Sequence, residues 1–320
     1  MASSSSVKKD RMTETEMMEP TAKQSYPDQV TLIEVGPRDG FQFESKIIPT
    51  PLKVEIISGL VAAGLKQIQA TSFVHPQRVP QMADAESLLR ALPVWENVEL
   101  SGLVLNREGL ERARRASLRQ VEISISASDT HSRKNTGMPL DEAFKQGLVM
   151  VALARQYGMY VRAGIQCAFG CVYDGAIPPQ RVVDMARAFI DQGAAALALA
   201  DTTGMADPLS IRRMVTEVQR ATDETPLILH LHDTRGLGLV NLMAGLECGV
   251  TRFDTALAGM GGCPFVVGAA GNIATEDTVY LLDRLQVKTG ISIRDVAACS
   301  IKLEKFYGKR FAGKMVRLAR

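Results

Sequence analysis

"VTLIEVGPRDGFQFE", residues 30–44, separates two fold classes. It begins as a β-branched apolar run and breaks at Gly36 into a polar turn. An open, doubly wound sheet that binds a dinucleotide carries a G-x-G-x-x-G turn directly after its first strand. Here Arg38 and Asp39 stand between glycines instead, and no such fingerprint follows. From residue 29 onward, short β-branched runs alternate with segments whose apolar residues recur at helical spacing. The later strand candidates are "QIQATSFV", "VELSGLVL", "QVEISISAS", "YVRAGIQCAF", "ALALADTT", "LILHLHDT" and "RFDTALAG". Helical segments such as "PQRVVDMARAFIDQG" lie between them, and many end in Gly just before the next strand, as a left-handed cap requires. Eight strand–helix units match a closed (β/α)8 barrel of about 250 residues. A ninth helix, "SIRDVAACSIKLEKFYG", trails the barrel. The expected organisation is α/β: one (β/α)8 TIM-barrel domain with an additional C-terminal helix over residues 28–320, after a disordered leader over 1–27.

Bulk composition narrows the function classes. In 320 residues the hydrophobic fraction is 46% and the net charge +2, so no strong field for nucleic acid or anionic membrane arises. No apolar run approaches the length of a membrane span. The five cysteines, Cys167, Cys171, Cys248, Cys263 and Cys299, are an odd number in a long chain without a signal peptide. They are read as free thiols of a reducing compartment, and the expected location is the cytoplasm.

The barrel makes position informative, because polar residues at the carboxyl ends of its strands converge on one mouth. Strand 7 carries His230 and His232, half of the chain's four histidines, on one face. A single buried histidine is usually a satisfied core residue, whereas two on one face of an apolar strand point to a metal. A carboxylate is then wanted as third ligand, and Asp39 and Asp201 are the candidates. Such a mixed set suits a hexacoordinate divalent cation, Mg²⁺ or Mn²⁺ and then Co²⁺, better than structural zinc. Arg38 is either an ordinary ion-pair partner of Asp39 or a clamp for a developing oxyanion. Cys263, within "GGCP", is either incidental to a tight turn or a proton donor on a lid. Cys167 and Cys171 read as packing residues, His75 and His131 as isolated structural or surface histidines, and "SRKN" at 132–135 as a solvated charge run.

"EVGPRDGFQ", "TSFV", "HLHDTRG", "AGMGGCPF" and "GAAGNIATED" together resemble the 3-hydroxy-3-methylglutaryl-CoA lyase branch of the DRE-TIM metallolyases, over roughly residues 29–305. The resemblance implies a metal-dependent cleavage of a 3-hydroxyacyl-CoA into acetyl-CoA and a keto acid, by a homodimer or higher homo-oligomer. By the same resemblance, Asp39, His230, His232 and Asn272 match divalent-metal ligands and Arg38 the stabiliser of the acetyl-CoA enolate. Cys263 matches the loop cysteine that protonates the enolate, and Asp201 an acid near the metal. His232 or Asp201 would take the hydroxyl proton, and Gln42 and Glu276 match pocket and dimer-loop positions.

The chain also departs from that family. Gln69 stands where an acid is usual in strand 2, "FQFES" replaces "LQNEK", and Ala198 replaces a small polar residue. Gly164 stands where a tyrosine is typical. With Gln42 and Arg162, these positions define the expected acyl pocket, larger at one end and less polar. Three functions follow: cleavage of 3-hydroxy-3-methylglutaryl-CoA or a close analogue; cleavage or condensation of another 3-hydroxyacyl-CoA such as a citramalyl-CoA; or binding of metal or acyl-CoA without turnover.

Overall fold

The computed structural model describes residues 26–223, 225–262 and 270–318. Eight parallel strands close into a barrel in chain order: β1 Thr31–Glu34, β2 Gln67–Ser72, β3 Glu99–Val104, β4 Gln120–Ser126, β5 Tyr160–Gln166, β6 Ala196–Ala200, β7 Leu227–His230 and β8 Arg252–Thr255. The ring shuts where Thr31 to Glu34 register with Arg252 to Thr255. Around it lie α1 Phe41–Phe43, α2 Thr50–Ala62, α3 Ala85–Ala91, α4 Arg107–Arg115, α5 Asp129–Thr136, α6 Leu140–Gln156, α7 Pro179–Asp191, α8 Pro208–Thr222, α9 Gly238–Glu247, α10 Thr275–Arg284 and α11 Ile293–Tyr307. All residues of β6 and β7 are buried, as strands covered by helices outside and side chains inside must be. The trailing helix α11 packs on α2 and α10, with Val296, Cys299 and Leu303 buried.

Local chemistry sets the helix starts. Asp207 accepts from the Leu209 and Ser210 N–H groups and Ser210 Oγ returns a bond to Asp207, a reciprocal cap reinforced by Pro208 in the first turn. The segment after β4, which holds the "SRKN" charge run, is helix α5, with Arg133 and Lys134 exposed. Ser128 Oγ accepts from the His131 N–H at its start and Gly137 closes it, so the helix rests on its caps rather than on an apolar stripe. Residues 1–25 of the expected leader lie outside the described residues. No helix among those described is long and apolar enough to cross a membrane.

The barrel interior is unusual in its chemistry. Such interiors are commonly filled by Val, Ile and Leu. Here Gln69, Glu122, Arg162, His230 and Asp254 join in one buried polar network below the mouth.

Candidate active site and metal centre

After β1 the chain winds through one wide turn, Gly36–Gly40, that swings Arg38 and Asp39 over the barrel. Both glycines are required by close approach. A Cβ on Gly36 would lie 2.3 Å from Leu257 Cδ2, and one on Gly40 would lie 2.7 Å from Met260 Cβ. "GPRDG" therefore wedges against the exit of β8, which is why its two charged residues reach the mouth.

There Asp39, His230 and His232 bring one ligand atom each within 4.8 Å of one another. Asn272 joins them, because residue 272 bridges to His232 and its Nδ2 donates to Asp39 Oδ2 at 2.7 Å. His230 Nδ1 lies 2.9 Å from Asp254 Oδ2, which places its proton on Nδ1 and leaves Nε2 as a lone pair. That Nε2 is 3.1 Å from His232 Nε2. Two imidazole nitrogens aimed at one spot need a proton or a cation between them. Burial, then the neighbouring His230, pushes His232 down to about 4, so it is neutral at ordinary pH, as a metal ligand must be. Burial alone would raise Asp39, but Arg38 and the two histidines outweigh it and hold the carboxyl below its usual range.

Asn272 Oδ1 supplies the test of fit. It is buried and has no hydrogen-bond partner among the described residues, although its amide nitrogen is bonded twice. An orphaned carbonyl oxygen beside a carboxylate and two imidazoles matches an oxygen-preferring divalent cation. Of the two acids considered as third ligand, the geometry selects Asp39. Asp201 Oδ1 is occupied by the Met205 and Ala206 N–H groups at 2.7 and 3.0 Å. Its Oδ2 is buried without a partner among the described residues, and burial raises its carboxyl to about 6.

A cavity of about 320 Å³ opens beside this cluster, lined by Arg38, Asp39, Gln42, Gly164, Ala198, His230 and His232 among others. Gln69 departs from expectation. It does not line the cavity: this side chain is fully buried behind Arg38, accepts from Arg38 Nε and donates to Glu122 Oε2 at 2.7 Å. Arg162 lines the cavity, as expected, with its terminal nitrogens bonded to both oxygens of Asp254 and its Nε 3.4 Å from Glu122. Gly164 and Ala198 share the cavity lining with Glu122, Ser124, His131, Asn135 and Gln166. The buried His131 thus belongs to the site region, and burial pushes it down to about 4. Glu276 is fully buried under Ala258, away from the cavity. Cys263 lies outside the described residues.

Sequence reasoning missed Asp254 and Glu122. Their signal was polar alternation, Gln120, Glu122, Ser124 and Ser126 in β4, Arg252 and Asp254 in β8. In an isolated sheet that pattern marks a solvent face; in a closed barrel it marks the interior.

An eight-stranded barrel with a His/Asp/Asn cluster and an arginine at its mouth defines a class, and comparison with known proteins names the family. The chain matches the HMGL-like family over residues 29–301 and belongs to it. It is thus an enzyme of a lyase family. It is 39% identical to the mitochondrial hydroxymethylglutaryl-CoA lyase of Rattus norvegicus over 268 residues, covering 84% of this chain and 82% of that protein. The cytoplasmic 3-hydroxy-3-methylglutaryl-CoA lyase of the same organism is 36% identical over 270 residues, 84% of this chain and 79% of that protein. Among solved structures, an HMG-CoA lyase from Acinetobacter baumannii in complex with coenzyme A and 3-methylmalate superposes with a TM-score of 0.87 at 34% identity, covering 94% and 97% of the two chains.

Proposed function

We propose that this enzyme is a divalent-metal-dependent carbon–carbon lyase that cleaves 3-hydroxy-3-methylglutaryl-CoA, or a close analogue, into acetyl-CoA and a keto acid, acetoacetate for the parent substrate. The observation that carries this reading is the convergence of Asp39, His230, His232 and the orphaned Asn272 Oδ1 beside Arg38. These four residues would hold the cation, Mg²⁺ or Mn²⁺ and then Co²⁺, which when bound supplies Lewis-acid polarisation and orientation of substrate oxygens.

The chain's own groups do the rest. Asp254 fixes the tautomer and ring orientation of His230. The unpaired Oδ2 of Asp201, raised to about 6, is suited to take the substrate hydroxyl proton, directly or through water, and His232 is the other candidate base. As that proton leaves, the bond between C2 and C3 breaks, C3 becomes a ketone and the electron pair passes into the thioester enolate. The Arg38 guanidinium, held by Gln69 and Asp39, meets the negative charge on the enolate oxygen. Cys263 is assigned to protonate the enolate carbon. Location in the cytoplasm and assembly as a homodimer or higher homo-oligomer complete the reading; a cytoplasmic relative supports the first.

A second reading, cleavage or condensation of a different 3-hydroxyacyl-CoA such as a citramalyl-CoA, is favoured by the polar groups Glu122, Ser124 and Gln166 that line the cavity together with Gly164 and Ala198. Both readings are tested by product analysis with hydroxymethylglutaryl-CoA and a panel of 3-hydroxyacyl-CoA thioesters in Mg²⁺ or Mn²⁺, beside EDTA and Cys263→Ala controls. Chelator-sensitive acetoacetate release that falls in the variant supports the first reading. Faster turnover of another thioester moves the assignment to the second, and silence on the whole panel with cation bound sinks both.

A further inference from the structure

We infer that Glu122 is a positioning residue for Arg38, acting through Gln69. This rests on the reading that Arg38 stabilises the enolate. The Gln69 side chain is fully buried and has two ends to place, a carbonyl that accepts and an amide that donates. A carboxylate accepts on both oxygens, so Glu122 Oε2, 2.7 Å from Gln69 Nε2, takes the amide end and turns the carbonyl toward Arg38 Nε. The flipped orientation would set carbonyl against carboxylate and amide against guanidinium, two repulsive contacts in a buried place.

Glu122 has a cation beside it. Its Oε2 lies 3.4 Å from Arg162 Nε, and Arg162 is held by both oxygens of Asp254. Residue 164 of strand 5 leaves room beside Glu122: a Cβ on Gly164 would lie 2.5 Å from Ser124 Oγ and 3.0 Å from Glu122 Oε1. Gln69, Glu122 and Gly164 thus form one unit, in which β4 supplies the negative charge that orients the arginine, a glutamine relays it and a glycine makes room.

Kinetics and NMR of the Mg²⁺-loaded protein test this. Glu122→Leu keeps Arg162 paired with Asp254, so no buried charge is stranded, but it frees Gln69 to turn. kcat should fall between about tenfold and a hundredfold, with KM within about threefold. Adding Gln69→Glu should restore kcat to within about threefold of the parent, because a carboxylate accepts from Arg38 in either orientation. A loss confined to KM, or one that Gln69→Glu does not rescue, would mean that Glu122 touches substrate or only supports the fold, and would overturn the inference. The Arg38 Nε–H resonance, assigned by its disappearance in Arg38→Lys, gives a readout independent of turnover. It should exchange slowly with water in the parent, quickly in Glu122→Leu and slowly again in the double variant. Slow exchange persisting in Glu122→Leu overturns the inference whatever the kinetics; an inactive parent sinks the enolate reading while this signal still decides Glu122. Should Glu122→Leu not fold, Glu122→Gln keeps the volume and offers one acceptor to two donors, so exchange should quicken severalfold; an unchanged rate there also overturns the inference.

Discussion

Acids stand on both sides of the exit of β8, half-buried at the mouth and fully buried beneath it, and their surroundings shift them in opposite directions. At the mouth, Asp39 sits among Arg38 and two histidines and is held below the usual carboxylate range. Beneath the turn that leads toward Cys263, Glu34 and Glu276 have no cation against them among the described residues. Glu34 accepts from the Gly36 and Leu257 N–H groups and hydrogen-bonds Thr275; Glu276 accepts from the Ala258 N–H and from Ser300. Desolvation dominates there and raises Glu34 to about 8 and Glu276 to about 7. Every oxygen of this brace is bonded, while Asn272 Oδ1 at the mouth and Asp201 Oδ2, just behind the cavity lining at Ala200 and Thr202, have no partner among the described residues. Full satisfaction marks the acids that hold the backbone, including Ala258 in its left-handed conformation at φ 57°. At the mouth both oxygens of Asp39 are bonded as well, and the unspent bonding capacity lies on Asn272 Oδ1, left to take a ligand, while that of Asp201 Oδ2 is left to take a proton.

The sharpest way to break this comparison is Asp39→Asn. Turnover should fall by about a thousandfold and calorimetric Mn²⁺ affinity should drop with it, while unfolding in chelator shifts by less than about 1 kcal/mol. Unimpaired Mn²⁺ binding would show that the mouth is a structural network like the brace. Next in size is Glu34→Leu, measured by urea unfolding at pH 5, where Glu34 is largely neutral when folded. Stranding the Gly36 and Leu257 N–H groups and Thr275 should cost about 3 kcal/mol.

Glu34→Gln separates bonding from charge. Because the folded value of about 8 lies above the ordinary 4.5, Glu34 contributes its full stability below pH 4.5 and loses it as pH rises toward 8. The amide copies the protonated acid without that loss. The variant should match the parent near pH 4.5, exceed it by up to about 3 kcal/mol at pH 8, and retain turnover. Parallel pH–stability curves would refute a protonated Glu34. Asp201→Asn should give a smaller gain of the same sign in metal-free protein, about 2 kcal/mol at pH 7 and none below pH 4. The folded value of about 6 exceeds the ordinary 3.8, so the penalty builds between those limits. Here, unlike Glu34→Gln, stability should rise while turnover falls; retained turnover would leave His232 as the base.

The β/α alternation, the closed eightfold ring and the pairing of His230 with His232 were legible because each is a local, periodic property of the chain. Side chains two apart on a strand share a face wherever the strand lies, and an absent glycine fingerprint is absent in any fold. The mouth residues Arg38 and Asp39 were legible because a polar turn at a barrel strand's end has one destination. Helix α5 was not, since capping by Ser128 and Gly137 outweighed a weak apolar pattern. Asp254, Glu122 and the withdrawal of Gln69 from the cavity were decided by tertiary structure alone. Each is a pairing between strands that closure brings face to face, such as Arg162 with Asp254, 92 residues apart. In a desolvated interior, charge is assigned by the nearest partner, and sequence spacing carries no record of which partner that is.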